Sequence, residues 1–185
     1  MDIDIDLANR QDILKLLKHV PARLGDRKHN TGVYFHRVPS DPFKNVCTVD
    51  HKDAEEHGYF KIDLLNVNIY KDIRDDLHLN NLMNTEPLWE LLEHAEFCSQ
   101  VFHLSGNEEL VKKIKPSNLE QLAITLALIR PSKRYLTKEI DWERISREVW
   151  LKPSDGSYYF KKAHAFSYAM AVVVHMNLIC EKLQG

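Results

Sequence analysis

Asp2-Ile3-Asp4-Ile5-Asp6-Leu7 and, further on, Gly58-Tyr59-Phe60-Lys61-Ile62-Asp63-Leu64-Leu65 are the two stretches on which the reading of this chain turns. A strand has a side-chain period of two, so Asp2, Asp4 and Asp6 share one face while Ile3, Ile5 and Leu7 share the other. The second stretch alternates in the same way, with Phe60, Ile62 and Leu64 opposite Lys61 and Asp63. If the strands are neighbours in one sheet, Asp2, Asp4 and Asp63 converge on one surface with Lys61 beside them. Clustered oxygen ligands suit Mg²⁺, and two such ions roughly 3.5–4 Å apart are the usual device for in-line phosphoryl or nucleotidyl displacement.

Around these strands the pattern predicts an α+β chain. A helix is expected over residues 8–23, with Ile13, Leu14, Leu16, Leu17 and Val20 as its buried stripe and Pro21 disturbing its end. Residues 24–32 read as a polar loop, residues 31–38 as a strand, residues 46–49 as a short strand and residues 50–57 as a polar connection. From about Asn80 helical patterning takes over. Short helices are expected over 86–94 and 108–114, the latter ended by Pro116. Ser117-Asn118-Leu119-Glu120 reads as a capping box for a helix that Pro131 ends. The last helix, over residues 159–182, is apolar all round its middle and should run through a core. The expected division is residues 1–78, carrying the aspartates, and residues 79–185, carrying helices with basic patches.

The 185 residues include 25 lysines and arginines against 27 aspartates and glutamates, a formal charge of −2. Strong unaided binding to nucleic acid normally shows a basic excess, so any such binding rests on local patches: Lys112, Lys113 and Lys115; Lys133 and Arg134; Lys161 and Lys162. The three cysteines lack metal-ligand spacing and read as free thiols of a reducing compartment. His51 and His57 read as loop histidines. No signal sequence is read at the amino terminus, and the apolar run from Ala165 to Cys180 is short for a membrane span. A cytoplasmic protein without a membrane partner is expected.

Several segments, in order, resemble the C-family replicative DNA polymerases of bacteria, the polymerase III alpha subunit. Asp2 to Leu7 resembles that family's Pro-Asp-x-Asp-x-Asp-Phe strand, and Phe60 to Leu65 its Val-Lys-Phe-Asp-Phe-Leu strand. Lys28-His29-Asn30-Thr31-Gly32-Val33-Tyr34-Phe35 is similar to a Lys-His-Ala-Gly-Gly-Val-Val-Ile stretch. Val101 to Leu104, Glu109 to Pro116 and Leu126-Ala127-Leu128-Ile129-Arg130-Pro131 resemble the fingers segment, which ends in Ala-Leu-Tyr-Arg-Pro. Phe160-Lys161-Lys162-Ala163-His164-Ala165-Phe166-Ser167-Tyr168-Ala169 resembles Phe-Asn-Lys-Ser-His-Ala-x-x-Tyr-Ala.

The resemblance implies a small mixed-sheet palm of nucleotidyltransferase type followed by helical fingers. It implies a DNA-directed DNA polymerase core or subunit that adds a dNTP to a primer 3′-hydroxyl. Asp2, Asp4 and Asp63 would hold two Mg²⁺ ions, with Mn²⁺ able to substitute, and Asp6 would lie outside the metal shell. Lys61 is expected either to neutralise phosphate charge or to form an ion pair that buffers the aspartates. Arg130, Lys162 and His164 are implied nucleotide contacts, although a helix C-terminus favours Arg130 in its own right. Tyr168 stacks on a base or packs in the core. Lys28 and His29 contact the primer-template backbone or lie in a solvated loop.

The family's Gly/Ser-rich triphosphate motif precedes its aspartate strand, and its thumb lies where only residues 8–27 intervene here. A stripped-down palm-and-fingers core is therefore expected, phage-encoded or one piece of a split enzyme, in a bacterial or virus-infected bacterial cell. Its partners would be primer-template DNA, dNTP and other replication proteins or a second polymerase piece. The alternative is a non-catalytic replication factor that keeps the fold and docks on DNA or the replisome.

Overall fold

The computed structural model describes residues 3–155 and 157–184. It is an α+β chain that divides into two compact units, Met1–Asp72 and Ile73–Gly185, so the boundary falls slightly before the position expected from composition. The helical character begins with a 3-10 turn at Asn68–Asp72 and the helix that follows it, both starting inside the segment read as the end of the first region.

In the first unit β1 (Ile3–Leu7) leads into α1 (Arg10–Leu16), followed by β2 (Val20–Leu24) and β3 (Arg27–Tyr34). A two-stranded ribbon of β4 (Ser40–Asp41) and β5 (Val46–Cys47), then α2 (His51–Glu56), precede β6 (Ile62–Asn66). The main sheet has the order β1-β6-β3-β2. β1 and β6 run parallel, while β3 is antiparallel to both β6 and β2. The two acidic stretches thus lie side by side.

The expected helix over residues 8–23 is not formed. Asn9 caps α1 by accepting from the Gln11 N–H, but the helix ends at Leu16, with Leu17 already extended. The stripe assigned to it is not a core: Leu16 is 82% exposed and α1 buries no residue. Pro21 offers no N–H and drives the preceding residue extended, which turns Val20–Leu24 into a strand. The expected loop at 24–32 is a hairpin instead. Gly25, at φ +57°, takes the first central position of a two-residue turn that joins Leu24 to Arg27, a place that favours glycine. The polar connection at 50–57 forms α2, capped by Asp50, which accepts from the Lys52 N–H and also from the Gly25 N–H.

The second unit runs through α3 (Asp76–Asn84), α4 (Ala95–Cys98), α5 (Glu108–Ile114), α6 (Leu119–Leu128), α7 (Trp142–Glu148) and α8 (Lys162–Gln184). The expected helix at 86–94 is a 3-10 turn at Trp89–Glu93 that passes into α4. In α6 the cap is Asn118, one residue later than read, and accepts from the Gln121 N–H, while the Gln121 side chain accepts from the Ser117 N–H, the residue before the cap. Every residue from Leu122 to Leu128 is buried, because α6 packs against α8 at the centre of the unit.

Helix α8 has 23 residues, longer than the apolar run alone suggests, and is long and apolar enough to cross a membrane. Half of its most apolar window is nevertheless buried inside the unit. Asn177 in α8 donates to the Leu82 and Thr85 carbonyls at 2.9 Å each and so ties α8 to the end of α3. Removing a buried donor leaves its acceptors unmet. Asn177→Ala is expected to lower unfolding stability by about 1–3 kcal/mol, read as a lower urea midpoint at unchanged slope.

Candidate functional site

Register fixes the site. Asp4 is the direct partner of Asp63 across the parallel β1–β6 pair, so the two carboxylates stand on one face of adjacent strands. Gly32 in β3 is the partner of Asp63 on the other side. A Cβ at Gly32 would lie 2.5 Å from Lys61 Cδ and 3.1 Å from His29 Nδ1. Its lack of a side chain is what lets Lys61 lie across the strand to meet Asp63.

Asp63 is only 7% exposed and has both oxygens engaged. The Thr31 hydroxyl donates to Oδ1 at 2.6 Å, and Lys61 Nζ forms an ion pair with Oδ2. Burial works against ionisation, but the hydrogen bonds from Lys61 and Thr31 and the lysine's charge outweigh it, holding the carboxyl below its usual range. His29 Nδ1 lies 3.6 Å from Asp63 Oδ1. This contact is not an ion pair at neutral pH. The same nitrogen accepts from the Gly32 N–H at 2.9 Å and the Thr31 N–H at 3.3 Å, which requires a neutral ring. Burial also pushes the His29 pKa down against the pull of Asp63. Since Thr31 has one hydroxyl proton and gives it to Asp63, its 3.4 Å approach to His29 is not a second donation.

Asp2 lies outside the described residues. Asp6 follows Asp4 on the same face, beside Leu65. Among the described residues no group of three or more His, Cys, Asp or Glu side chains converges as a metal cluster. Asp4 and Asp63 are register partners, and both Asp63 oxygens are taken up by Thr31 and Lys61. Lys28 and His29, adjacent in sequence, are separated by the alternation of β3. His29 turns towards Asp63, while Lys28 lines a cavity of about 340 Å³ whose other charged residues are Arg23, Arg27 and Lys44 with Asp26 and Asp41.

In the second unit Arg130 stacks its guanidinium 4.6 Å above the Phe160 ring, with Nε buried and without a hydrogen-bond partner. Beside it, burial and the arginine's charge push His103 down to about 4, so its ring is neutral. His103 packs edge-on to Tyr168 at 4.6 Å, and Tyr168 meets Phe160 at 5.5 Å. Tyr168 therefore belongs to an aromatic cluster around Arg130. Lys162 opens α8, exposed, with Nζ 5.7 Å from the Phe166 ring. His164, half-buried, follows within the same turn.

The basic patches expected from the sequence are largely spent on structure. Lys133 is 3% exposed and donates to the Glu148 and Leu151 carbonyls, closing the end of α7. Lys113 donates to the Thr137 carbonyl, Lys115 pairs with Glu93, and Arg134 donates to Asn107. Sequence pattern reveals neither Thr31 as a partner of Asp63 nor the Arg130–Phe160 stack. Thr31 sits one residue before a glycine in a stretch read as the junction of a loop and a strand, and nothing local marks its hydroxyl as turned to Asp63.

No known protein family matches the chain in a scan against family models, and no curated protein sequence matches it.

The depressed Asp63 pKa has a definite sign in stability. Its contribution is fully present above the unfolded carboxyl value of about 3.9 and is lost as pH falls through the lower folded value. Asp63→Asn also leaves Lys61 buried without a counter-charge, for which a loss of about 3 kcal/mol is expected at pH 7. The urea-unfolding gap between wild type and Asp63→Asn should narrow progressively below about pH 4.

Proposed function

We propose that the first unit is a palm-like nucleotidyl-transfer centre and that the chain is the core or a subunit of a C-family type DNA polymerase. The observation that carries this reading is the in-register pairing of Asp4 with Asp63 on adjacent parallel strands. Asp4 and Asp63, with Asp2, are the proposed ligands. Two Mg²⁺ ions held there would activate the primer 3′-hydroxyl and stabilise the departing pyrophosphate. The chain's own residues prepare that role: Thr31 and Lys61 keep Asp63 ionised and fixed, and Lys61 supplies positive charge beside the phosphates. In the second unit Arg130, Lys162 and His164 are the proposed contacts to incoming dNTP. Primer-template DNA and further replication proteins are the proposed partners, in a cytoplasmic setting.

One observation favours a second reading. Both oxygens of Asp63 are already satisfied inside the protein, as in a carboxylate kept for architecture. A non-catalytic replication factor that keeps the fold and docks on DNA or the replisome would have this arrangement and need no metal.

Mg²⁺-dependent primer extension separates the two. With a charge of −2 the chain alone should extend poorly, with activity falling steeply as salt rises and recovering when a partner tethers it to DNA. Asp4 is exposed, so Asp4→Asn should fold normally. It should lower extension by at least about 10–100-fold, the loss typical even of residues one step removed from a metal. Equal extension by wild type and Asp4→Asn, with and without partners, sinks the catalytic reading. Lys162→Ala should weaken dNTP binding by about 1–3 kcal/mol in a fluorescence titration, the range for a charge-assisted contact.

A further inference from the structure

The cavity of about 340 Å³ that Lys28 lines is formed by the β2–β3 hairpin and the β4–β5 ribbon of the first unit. Its charged lining sets Arg23, Arg27, Lys28 and Lys44 against Asp26 and Asp41, four cations and two carboxylates, which leaves a formal +2. The whole chain carries −2, so the excess is local and does not follow from composition.

The hairpin concentrates this charge at a cost. Arg23 and Lys28 are direct partners across the antiparallel β2–β3 pair, and like charges so placed destabilise a strand pair. Arg23 is also fixed before any ligand arrives. Its Nε donates to the Gly25 carbonyl at 2.6 Å and its Nη1 to the Thr48 carbonyl at 2.8 Å, which ties the hairpin to the chain just beyond β5. A guanidinium has five N–H groups, so donors remain after these two bonds.

Both carboxylates have partners of their own. Asp26 lies 3.6 Å from Arg23 Nη2. Asp41 Oδ1 accepts from the Phe43 and Lys44 N–H groups at 2.8 and 3.0 Å, and with Asn45 at φ +49° this fixes the turn that carries Lys44. Among the described residues no ion pair engages Arg27, Lys28 or Lys44, and all three are exposed.

We propose that this cavity binds the phosphate group of a small ligand. A phosphate dianion cancels the formal +2 and relieves the opposition of Arg23 and Lys28. The cations come from β2, β3 and the β4–β5 turn, an arrangement that suits a tetrahedral oxyanion better than a flat carboxylate. Arginine meets phosphate as a fork and lysine as a point charge. The fixed Arg23 and the fixed turn lower the cost of ordering the site on binding. The volume lies at the small end of the range of about 300–1,000 Å³ for small-ligand sites, room for a phosphate and a short organic group. Lys28 is thereby given a small anion in place of the primer-template backbone that the resemblance implies. None of the lining residues belongs to the Asp4–Asp63 arrangement, so this inference does not rest on the metal-centre reading.

The test is NMR of the isotope-labelled full chain, titrated with inorganic phosphate and separately with phenyl phosphate at constant ionic strength, with chloride as the reference anion. The amide signals of Lys28, Lys44 and Thr48 should shift together and saturably. A response to both anions assigns the phosphate group itself as the ligand, and a response to phenyl phosphate alone assigns an organic phosphate ester. Lys28→Gln and Lys44→Gln, at exposed positions, should each weaken binding by about tenfold, the loss of one charge-assisted contact. Lys15→Gln, which removes an exposed cation of α1 in the same unit, should leave it unchanged. Absence of a saturable shift, a response no different from that to chloride, unchanged affinity in both cavity variants, an equal loss in Lys15→Gln, or displacement of the bound anion by duplex DNA at equal phosphate concentration overturns the proposal. Asp4→Asn should bind phosphate like wild type, so loss of extension with intact phosphate binding separates this cavity from the carboxylate site.

Discussion

The ion pair between Lys61 and Asp63, laid across Gly32, is the constraint on which the first unit depends. A carboxylate this deeply buried stays ionised only if charge and hydrogen bonds replace its lost water. Lys61 and Thr31 supply both, from the approach to β6 and from β3. Gly32 leaves the space in which the lysine stem lies. β3 and β6 are thereby fixed relative to one another, and the in-register parallel pairing brings Asp4 alongside from β1. A shift of one residue in β6 would turn Asp63 to the other face and bring Ile62 or Leu64 into its place, so the pair also guards the register.

The second unit solves a different problem by similar means. Its central helices α6 and α8 are so apolar that their packing gives little polar specificity. That specificity comes from a few polar groups with defined partners: buried Asn177 to the end of α3, buried Lys133 to the carbonyls closing α7, and half-buried His175 accepting from the Phe102 N–H. Several lysines and arginines that a composition count assigns to nucleic-acid contact are used in this way. Lys162 stays exposed, and Arg130 keeps a buried Nε without a hydrogen-bond partner.

The acidic strands are legible in the sequence because a two-residue period survives any tertiary context, and so are α5 and the core character of α8. The hairpin of β2 and β3 is not. The stripe of Ile13, Leu14 and Leu17 does have helical periodicity, but Pro21 and Gly25 override it beyond Leu16 by fixing extended backbone and a reversal. At the site, the shared face of Asp4 and Asp6 and that of Lys61 and Asp63 follow from pattern, whereas the pairing of the two strands and the partners of Asp63 depend on contacts across strands. Thr31 reaches it over a separation of 32 residues, and no local signal encodes that. The orphaned polar atoms of Tyr34 and His36 are likewise invisible in the sequence, since they reflect what the surrounding fold withholds.

The most direct measurement is Mn²⁺ titration of the isotope-labelled protein, followed by paramagnetic broadening of backbone amide signals. If the paired carboxylates hold the metal, Asp4, Gly32 and Asp63 broaden first and together, at low metal concentration, and Asp4→Asn abolishes the selectivity. Uniform broadening across surface carboxylates, with these three signals no more affected than the rest, would contradict a metal-binding carboxylate pair.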